Sequence, residues 1–514
     1  MAPGMSIEEP VIPGRPLPEP YYFEHGLRRV KPYYWEYHTY CKQRWRGREL
    51  VDIFTSEFRD RSEEYYRTSL AEGKVKVDGK VVGPHHILKN GQKLQHILHR
   101  HEPPVTGLPI GIIHESDDLL VIDKPAGVPV HAAGRYHYNS IIEILRNENG
   151  VDWFPRPCNR LDRLTSGVMF IGKTPQGAER MSTKLQQRTV QKEYIARVKG
   201  RFPDGVVVCD QPIMQVSPKL GLNRVRATGK DAKTKFRRIA YYPPSSSSSS
   251  TTTPAGEDGE DRVATPPPAL ANEEDGYSIV HCLPLTGRTH QIRVHLQFLG
   301  HPITNDPIYS NRRVFGEALG KNDDSGDRDE EIMAKLSAMG KTEVAEVLDV
   351  SSYRTHITTP PAVPPGTSTT TMEMIMSREH EAAVAAYHQR KGERLSGETC
   401  ADCGTELYTD PGVHELGIFL HAVAYADSQG DWKYRSKMPS WALPPRGLDG
   451  PREAPDWVVV PESEESVVGC GAVPEGMQDE EDGRKKNAPV LLRGVGMVDL
   501  SAYENGTEGT TASA

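Results

Sequence analysis

The chain has 514 residues, a length typical of two or three domains, and no apolar run approaches the roughly 20 residues that span a bilayer, which excludes an integral membrane protein. Only 37% of the residues are hydrophobic, a low share that indicates folded domains interrupted by disordered segments. Seven mostly scattered cysteines argue against a disulfide scaffold and for a reducing compartment.

The start of the sequence does not resemble a targeting signal. Residues 1–20 contain three glutamates and no apolar core, so they predict neither a secretory nor a mitochondrial signal. A basic cluster, RKK at 484–486, is too short to indicate nuclear import. We therefore expect a protein of the cytoplasm, the nucleus or both.

The net charge of −8 hides a marked asymmetry along the chain. Residues 27–104 hold 16 Lys and Arg against 10 Asp and Glu, and residues 151–242 hold 19 against 7. Local positive charge on folded sequence is typical of a polyanion-binding protein, and it is equally compatible with a solvated basic face. Charge therefore selects candidate segments for nucleic-acid contact without deciding between these interpretations.

The first folded pattern, at about 48–98, predicts two helices, a β-hairpin and a further strand. Apolar residues recur at helical spacing from Leu50 and again around Tyr65. Alternating segments flank Asp78-Gly79, a pair that favours a two-residue hairpin turn, and the last strand begins at Leu94. This order resembles the small α-L RNA-binding module, with a generic helix-hairpin unit as the other interpretation.

Beyond residue 105, short β-rich runs alternate with helical segments. Strands are predicted at 119–122, 167–172, 193–198, 235–241 and 277–283, and helices at 139–147 and 175–187. This order predicts an α+β domain built on a mixed, largely antiparallel sheet. Polar, Pro-rich or acidic inserts at about 243–275 and 311–399 predict disorder, with one helix at 376–393 in the second insert.

One candidate for catalysis is the segment 158–174, which reads CNRLDRLTSGVMFIGKT. Asp162 lies between Arg160 and Arg163, and neighbouring positive charge lowers the pKa of a carboxyl group and keeps it ionised. An ionised, positioned aspartate can act as a nucleophile or as a base. A surface ion pair beside a turn is the alternative interpretation.

The second candidate is the segment 284–310, in which two arginines, a glutamine and two histidines occupy eight positions. A helix that begins at Thr289 places Arg293 on the same face one turn later. The five-residue spacing of His290 and His295 does not align them on one ion, so we expect no metal there. A cationic helix start that faces phosphate is the favoured interpretation.

Taken in order, these segments resemble the RluA-type pseudouridine synthases, a family that isomerises uridine in RNA. The matching motifs are LLVIDKPAGVPVH (119–131), RLDRLTSG (160–167), KEYIARVKG (192–200), GRTHQIRVH (287–295) and LGHPITNDPIYS (299–310). LGIFLHAVAY (416–425) is similar to the family's closing strand, which places that strand beyond the second insert. The start of the chain and the segment around CADC (400–403) are similar to a eukaryotic branch that acts on tRNA.

The resemblance implies a pseudouridine synthase domain at 105–445 that contains both inserts. Around it we expect a disordered N-terminus at 1–20, an N-terminal region at 21–104 with the RNA-binding module, and a disordered acidic tail at 446–514. The reaction transfers no electron or phosphoryl group, so the resemblance implies no redox or nucleotide cofactor. We expect a monomer whose partner is RNA, in the first place tRNA, and no membrane partner.

By the resemblance, Asp162 is the essential catalytic carboxylate, Arg293 pairs with it, and Tyr194 stacks on the uracil and takes the proton from carbon five. Whether Asp162 attacks the ring, attacks the sugar or removes a sugar proton stays open. Arg160 enters the space vacated by a flipped nucleotide. The alternative roles are an ordinary half-buried strand tyrosine for Tyr194 and a phosphate clamp for Arg160.

Three further basic residues, Arg163, Lys192 and Arg288, are expected to contact RNA phosphate or to support the site. The chain departs from the family at one position of the catalytic motif. Many members have His where this chain has Asn159, which puts a local hydrogen bond in doubt.

Cys400 and Cys403 form half of a zinc-binding pattern. With His414 they offer three ligands at irregular spacing, whereas a structural zinc ion takes four. Buried or incidental thiols without a metal are therefore the favoured interpretation, and zinc binding by Cys400 and Cys403 stays the alternative.

The sequence thus predicts an RNA uridine isomerase that acts on tRNA, at position 32 of the anticodon loop. The alternatives are the same chemistry on mRNA or rRNA, and an RNA-binding or tRNA-folding factor with dispensable catalysis. The complete set of Asp162, Tyr194 and Arg293 favours the enzyme, since a binding module has no use for all three.

Overall fold

The computed structural model describes residues 21–57, 63–150, 153–218, 220–244, 276–338, 395–412, 415–457 and 461–469. The expected N-terminal disorder, the first insert from 245 to 275 and the helix expected at 376–393 lie outside these residues. All of the described residues belong to one compact unit, which ends at Cys470.

The N-terminal part of the chain combines short strands with two helices. Its elements are β1 (Tyr22–Glu24), β2 (Leu27–Arg29), β3 (Tyr33–Tyr40), α1 (Leu50–Glu57), α2 (Glu63–Ala71), β4 (Val75–Val77), β5 (Lys80–Val81), β6 (Lys93–Arg100) and β7 (Val105–Thr106). Strands β3, β6, β4 and β5 pair in that order. Leu50 and Leu70 of the helices share a buried core with Leu94 of the sheet. Asp78 and Gly79 have φ values of +50° and +77°, as the predicted two-residue turn requires, so the two helices and the hairpin are confirmed.

The remaining described residues form the larger part of the fold. Its elements are β8 (Gly111–Glu115), β9 (Leu119–Lys124), α3 (Ile141–Asn149), β10 (Arg156–Pro157), β11 (Ser166–Gly172), α4 (Pro175–Gln186), β12 (Val190–Lys199), β13 (Val206–Asp210), β14 (Ile213–Ser217), β15 (Leu222–Val225), β16 (Lys233–Tyr242), β17 (Tyr277–Pro284), α5 (Gln291–Phe298), α6 (Arg312–Phe315), α7 (Asp329–Ala338), β18 (Leu395–Thr399), β19 (Glu406–Tyr408), β20 (Leu420–Asp427), β21 (Lys433–Arg435) and β22 (Glu465–Gly469). None of the helices in the described part of the chain is long and apolar enough to cross a membrane.

Eleven strands form one sheet along the path β22-β13-β16-β17-β12-β20-β11-β9-β8, with β10 beside β11 and β21 beside β20. Strand β11 runs parallel to β20, and β22 runs parallel to β13. The other pairs in this sheet are antiparallel. The predicted α+β fold with a mixed, largely antiparallel sheet is confirmed, and the closing strand β20 follows the second insert as expected.

Two of the buried clusters beside this sheet meet at its centre. Ile144 of α3 and Met181 of α4 belong to a cluster with β9 and β11. Val294 of α5 and Ile332 of α7 belong to a cluster with β12, β16 and β17. Tyr194 of β12 packs against both clusters, so the boundary between them lies at the centre of the sheet, where β11, β12 and β20 meet.

Part of the second insert is folded, which corrects the expectation of disorder there. Ile332 of α7 is fully buried. The acidic run that suggested disorder instead binds arginines. Asp323 lies 2.7 Å from Arg224 Nη2, and both oxygens of Asp329 accept hydrogen bonds from Arg226. These arginines lie about a hundred positions earlier in the chain, so the local composition of the insert does not reveal them.

A segment of the acidic tail is also folded, contrary to the expectation of disorder from 446 onwards. Strand β22 pairs with β13, with Glu465 opposite Val206. Glu465 also lies 2.6 Å from Lys235 Nζ, so one backbone ladder and one ion pair hold this segment at the sheet edge. The tail beyond residue 469 lies outside the described part of the chain.

Candidate active site

Asp162 lies on the turn that joins β10 to β11. Its carbonyl oxygen accepts a hydrogen bond from the Thr165 N–H over 3.1 Å, which closes the turn. The Asp162 side chain keeps 35% of its surface exposed, so a ligand can reach the carboxylate. Arg160 on the same turn is exposed.

A buried lysine ties this turn to the preceding loop. Lys124, at the end of β9, donates from Nζ to the carbonyl oxygens of Pro125, Val128 and Arg163 at 3.0, 2.8 and 3.3 Å. Burial lowers the pKa of Lys124 to about 7, although the charge of Asp162 acts in the opposite direction. The Lys-Pro-x-Gly segment of the sequence therefore supports the backbone of the Asp162 turn.

Arg293, on α5, bridges two carboxylates. Its Nη1 lies 3.2 Å from Asp162 Oδ2, while its Nε and Nη2 bind Asp306 Oδ2 and Oδ1 at 2.5 and 2.9 Å. Asp306 is fully buried and also accepts the backbone N–H groups of Ile308 and Tyr309 at 2.9 and 3.0 Å. Because the two-point pair fixes the plane of the guanidinium group, Nη1 faces Asp162 in one orientation.

These contacts set the ionisation of the site. Burial opposes the charge on Asp162, but His290, Arg293 and Arg160 outweigh it and hold the pKa of Asp162 below its ordinary value. Burial likewise opposes the charge on Asp306, and Arg293 lowers the pKa of that group. The pKa of Arg293 rises despite its burial because of the two carboxylates. All three groups are therefore charged at neutral pH.

His290 is the second partner of Asp162. It has a left-handed backbone with φ +59° directly before α5, and its Nε2 lies 3.5 Å from Asp162 Oδ2. Its Nδ1 lies 3.0 Å from the hydroxyl of Tyr309, which accepts the Asn223 N–H at 3.1 Å. If the hydroxyl donates to Nδ1, the neutral ring carries its proton on Nε2, the nitrogen that faces Asp162. Burial lowers the pKa of His290 to about 4, so the ring is neutral.

Tyr194 lies at a bulge in β12, opposite β20, with its hydroxyl 2.9 Å from that of Tyr425. Asn159 accepts the Phe170 N–H on Oδ1 at 2.9 Å, which turns its amide nitrogen toward the Tyr425 hydroxyl, 3.4 Å away. The Tyr425 hydroxyl therefore lies between the Asn159 amide and the Tyr194 hydroxyl, and either phenol can donate to the other. Asn159 thus makes the local hydrogen bonds that the sequence put in doubt.

The same surroundings control the charge state of Tyr194. Burial raises the pKa of Tyr194 well above its ordinary value, and Tyr425 and the charge of Asp162 raise it further. The phenol of the free protein is therefore neutral at neutral pH.

The closing strand joins the two halves of the site. His421 on β20 lies 2.8 Å from the Ser166 hydroxyl through Nδ1 and 2.6 Å from the Ser436 hydroxyl through Nε2. Ala422 is opposite both Gly167 and Tyr194. A Cβ on Gly167, whose φ is +112°, would lie 2.2 Å from the Ala422 carbonyl oxygen, so only glycine permits this approach of β11 to β20.

The flanking arginines of the catalytic motif take different positions. Arg160 is exposed, and its charge lowers the pKa of Asp162, which places it at the mouth of the site. Arg163 is half-buried and lies over the ring of Tyr136, 5.7 Å from its centroid.

The other two predicted basic residues lie around the loop before α5. Lys192 is half-buried with its Nζ beside Gly287, and burial lowers the pKa of Lys192. Arg288 donates from Nε to the carbonyl oxygen of Asp231 at 2.9 Å. The structure brings Asp162 and Arg293 into direct contact, whereas Lys192 lies beside this loop and Arg288 bonds to Asp231 before β16.

Sequence reasoning did not assign Asp306, Tyr309, His290 and Tyr425 to the site. Asp306 and Tyr309 lie in the DPIY segment of the last motif, where an aspartate before proline was a usable signal. Tyr425 gave no such signal, because its partner Tyr194 lies 231 positions earlier in the chain.

Comparison with known proteins identifies the family of the chain. A family model described as RNA pseudouridylate synthase matches residues 118–298, a range that contains Asp162, Tyr194 and Arg293. The chain is 40% identical over 431 residues to the mitochondrial tRNA pseudouridine(32) synthase of Saccharomyces cerevisiae, which covers 81% of this chain and 77% of the relative.

Two further relatives extend the comparison. Pseudouridylate synthase RPUSD2 of Mus musculus is 38% identical over 82% of this chain and 72% of its own length. The tRNA pseudouridine(31) synthase of Saccharomyces cerevisiae is 30% identical over 82% of this chain and 96% of its own length.

The chain belongs to the RluA-type pseudouridine synthases, as the order of its motifs indicated. It is an isomerase that converts uridine in RNA to pseudouridine. The family, the fold and the isomerase activity expected from the sequence are therefore confirmed.

The expected location is wrong. We expected a cytoplasmic or nuclear protein, but the yeast relative that is 40% identical is named as mitochondrial. That expectation depended on the composition of residues 1–20, the cysteine usage and the short RKK cluster, which are weaker guides than a relative aligned over 81% of the chain.

The two-point pair of Asp306 with Arg293, the Asp306 clamp, leads to a testable prediction. Asp306→Asn leaves Arg293 buried without its two-point partner, so we expect a loss of about 3–5 kcal/mol of unfolding free energy and a roughly 100-fold lower isomerisation rate per folded molecule. Denaturant unfolding and single-turnover assays measure the two effects. The matched control, Asp329→Asn in α7, breaks the ion pair with Arg226. It should lower the free energy of unfolding while the rate per folded molecule is unchanged. Equal rates for both variants would contradict the role of the clamp.

Proposed function

We propose that the substrate is tRNA, that the target is uridine 32 of the anticodon loop, and that the protein acts in mitochondria. The yeast relative with 40% identity carries that position and that compartment in its name. The relative named for position 31 makes the neighbouring uridine the competing target. The observation that carries the catalytic assignment is the contact between Asp162 and an arginine that Asp306 locks in place.

In this proposal Asp162 is the catalytic carboxylate. The isomerisation breaks the bond from ring N1 to ribose C1′, forms a bond from C5 to C1′, releases the C5 proton and leaves a proton on N1. Attack on the ring, attack on the sugar and removal of a sugar proton all need an ionised carboxylate, which the lowered pKa of Asp162 supplies at neutral pH. Arg293 and His290 both contact Oδ2, so Oδ1 is the oxygen presented to the substrate.

We assign Tyr194 to the uracil ring. Its aromatic face offers a stacking surface, and its hydroxyl contacts that of Tyr425, which Asn159 also contacts. Burial and the Tyr425 contact both keep the phenol neutral before substrate binds. Removal of the C5 proton by Tyr194 therefore requires that the bound substrate or solvent takes up the phenol proton first.

Arg160 and the N-terminal sheet, which β3, β6, β4 and β5 form, are the proposed RNA contacts. Arg160 is exposed at the mouth of the site, where its side chain can fill the gap left by a flipped uridine. In the N-terminal sheet, Tyr40 of β3 is 68% exposed and offers a surface for base stacking. It lies in the part of the chain that has a local excess of Lys and Arg. We propose that residues 48–98 act as an RNA-binding module and that a monomer carries the complete site.

A pair of phenylalanine variants tests the hydroxyl of Tyr194. Tyr194→Phe keeps the ring and removes the oxygen, so we expect a loss of about 10²–10⁴-fold in isomerisation with unchanged tRNA affinity. Tyr425→Phe keeps the Tyr194 hydroxyl and removes only its hydrogen-bond partner, so the loss should be smaller. Single-turnover rates and equilibrium tRNA binding measure these effects. Full activity in Tyr194→Phe would limit this residue to stacking.

Release of tritium from carbon five of uridine tests the function as a whole. Wild-type protein should release tritium from mitochondrial tRNA transcripts, and Asp162→Asn, which removes the charge at constant shape, should release none. Mapping of the product should place pseudouridine at position 32. Pseudouridine at position 31 would overturn the target assignment, and modification of mRNA or rRNA alone would overturn the choice of tRNA. Full activity in Asp162→Asn would overturn the role of the carboxylate.

A further inference from the structure

Four side chains with metal-binding atoms meet between the N-terminal sheet and the segment that follows the second insert. His99 and His101 come from the end of β6, and Cys400 and Cys403 come from the turn between β18 and β19. One ligand atom from each residue takes part, and these four atoms all lie within 4.8 Å of one another. The pairs are about 300 positions apart in sequence, so the fold alone assembles the cluster.

Each half of the cluster has a backbone that directs two ligands to one side. His99 and His101 are two positions apart in extended chain, so their side chains project from the same face. Cys400 accepts the Gly404 N–H on its carbonyl oxygen and donates its own N–H to the Thr405 carbonyl, both at 2.8 Å. This tight turn, completed by Gly404 at φ +65°, keeps the two thiols together.

The distances fit a tetrahedral ion. Cys400 Sγ lies 3.5 Å from His99 Nδ1, and Cys403 Sγ lies 3.3 Å from His101 Nε2. Bonds of about 2.3 Å to sulfur and about 2.1 Å to nitrogen place the two atom types roughly 3.6 Å apart around a tetrahedral zinc ion. The thiols are not joined in a disulfide, so both are available as ligands.

A carboxylate lies behind one of the imidazole rings. Asp402 Oδ2 is 3.6 Å from His99 Nε2, the nitrogen on the far side of the ring from Cys400. Metal-bound histidines usually have such a partner on the second ring nitrogen, because it fixes the tautomer and the orientation of the ring. His99 is itself buried, with 4% of its surface exposed, so its ring is already held in place.

We propose that His99, His101, Cys400 and Cys403 bind one zinc ion. Two thiolates and two imidazoles form a donor set that suits Zn²⁺, and four protein ligands leave no open position, which makes the site structural. The expectation of incidental thiols came from Cys400, Cys403 and His414, because the pair His99 and His101 lies in a distant segment. The ligand considered there, His414, lies outside the described residues.

The ion fastens the segment after the second insert to the N-terminal sheet. Two other contacts hold the same segment elsewhere: Arg29 of β2 pairs with Asp410, and the guanidinium of Arg135, in the loop after β9, lies over the Tyr408 ring, 4.9 Å from its centroid. A metal link across about 300 residues restricts the unfolded chain strongly, so zinc should stabilise the folded protein.

Metal analysis of the full chain, purified without chelator, tests the proposal. We expect about one zinc ion per chain by inductively coupled plasma mass spectrometry. Cys403→Ser and His101→Ala should lose most of this zinc. The matched controls, Cys158→Ser and His85→Ala, change the same residue types away from the cluster and should keep it.

A second measurement covers the case in which a ligand variant fails to fold. Cobalt(II) added to the metal-free wild-type chain should give the intense thiolate charge-transfer and tetrahedral d–d bands of a site with two sulfur ligands. The conservative variant His101→Cys should keep the metal. Wild-type protein without zinc after incubation with the ion, equal zinc loss in the controls, or a Cys400–Cys403 disulfide under reducing conditions would each overturn the proposal.

Discussion

Arg293 is shared between two carboxylates of unequal accessibility, with Asp306 fully buried and Asp162 one third exposed. An arginine buried in this way is stable only where charges and hydrogen-bond acceptors surround it, and Asp306 supplies both through its two-point pair. The guanidinium group is therefore held before any substrate arrives, and its remaining contact keeps Asp162 ionised in one orientation. The protein thereby offers an unprotonated carboxylate at a site that would otherwise favour the neutral acid.

The rest of the fold positions the ion pairs that link Asp162, Arg293 and Asp306. Lys124 holds the backbone of the Asp162 turn, and α5 carries Arg293 from the other core cluster. Strand β20 lies between β11 and β12, so it brings the Asp162 turn to the strand of Tyr194. The chain reaches β20 only after the second insert, yet the close approach of Gly167 to Ala422 leaves little freedom in where that strand lies. The long second insert is tolerated because the paired strands of the sheet already fix the positions of both its ends.

The sequence predicted those parts whose signals are local. Periodicity was sufficient for the strands around Tyr194 and the helices α3 and α4, and the motif order paired Asp162 with Arg293 across 131 positions. The parts that escaped prediction depend on partners remote in the chain. Asp306 was hidden within a motif, Tyr425 had no local signal, and the acidic run of the second insert was read as disorder because Arg224 and Arg226 lie elsewhere.

The pH dependence of single-turnover isomerisation tests most directly whether the clamped arginine keeps Asp162 ionised. The pKa of Asp162 lies below its ordinary value, so the carboxylate is charged at any pH above that pKa. Protonation of Asp162 should therefore not slow the reaction above about pH 5. The acid limb should lie below the ordinary range of an aspartate in the wild type and move to higher pH in Arg293→Gln, which removes the positive charge beside Asp162, with circular dichroism used to confirm folding at each pH. An acid limb centred between about pH 6 and 7 in the wild type would show a protonated carboxyl group at neutral pH and would contradict the account.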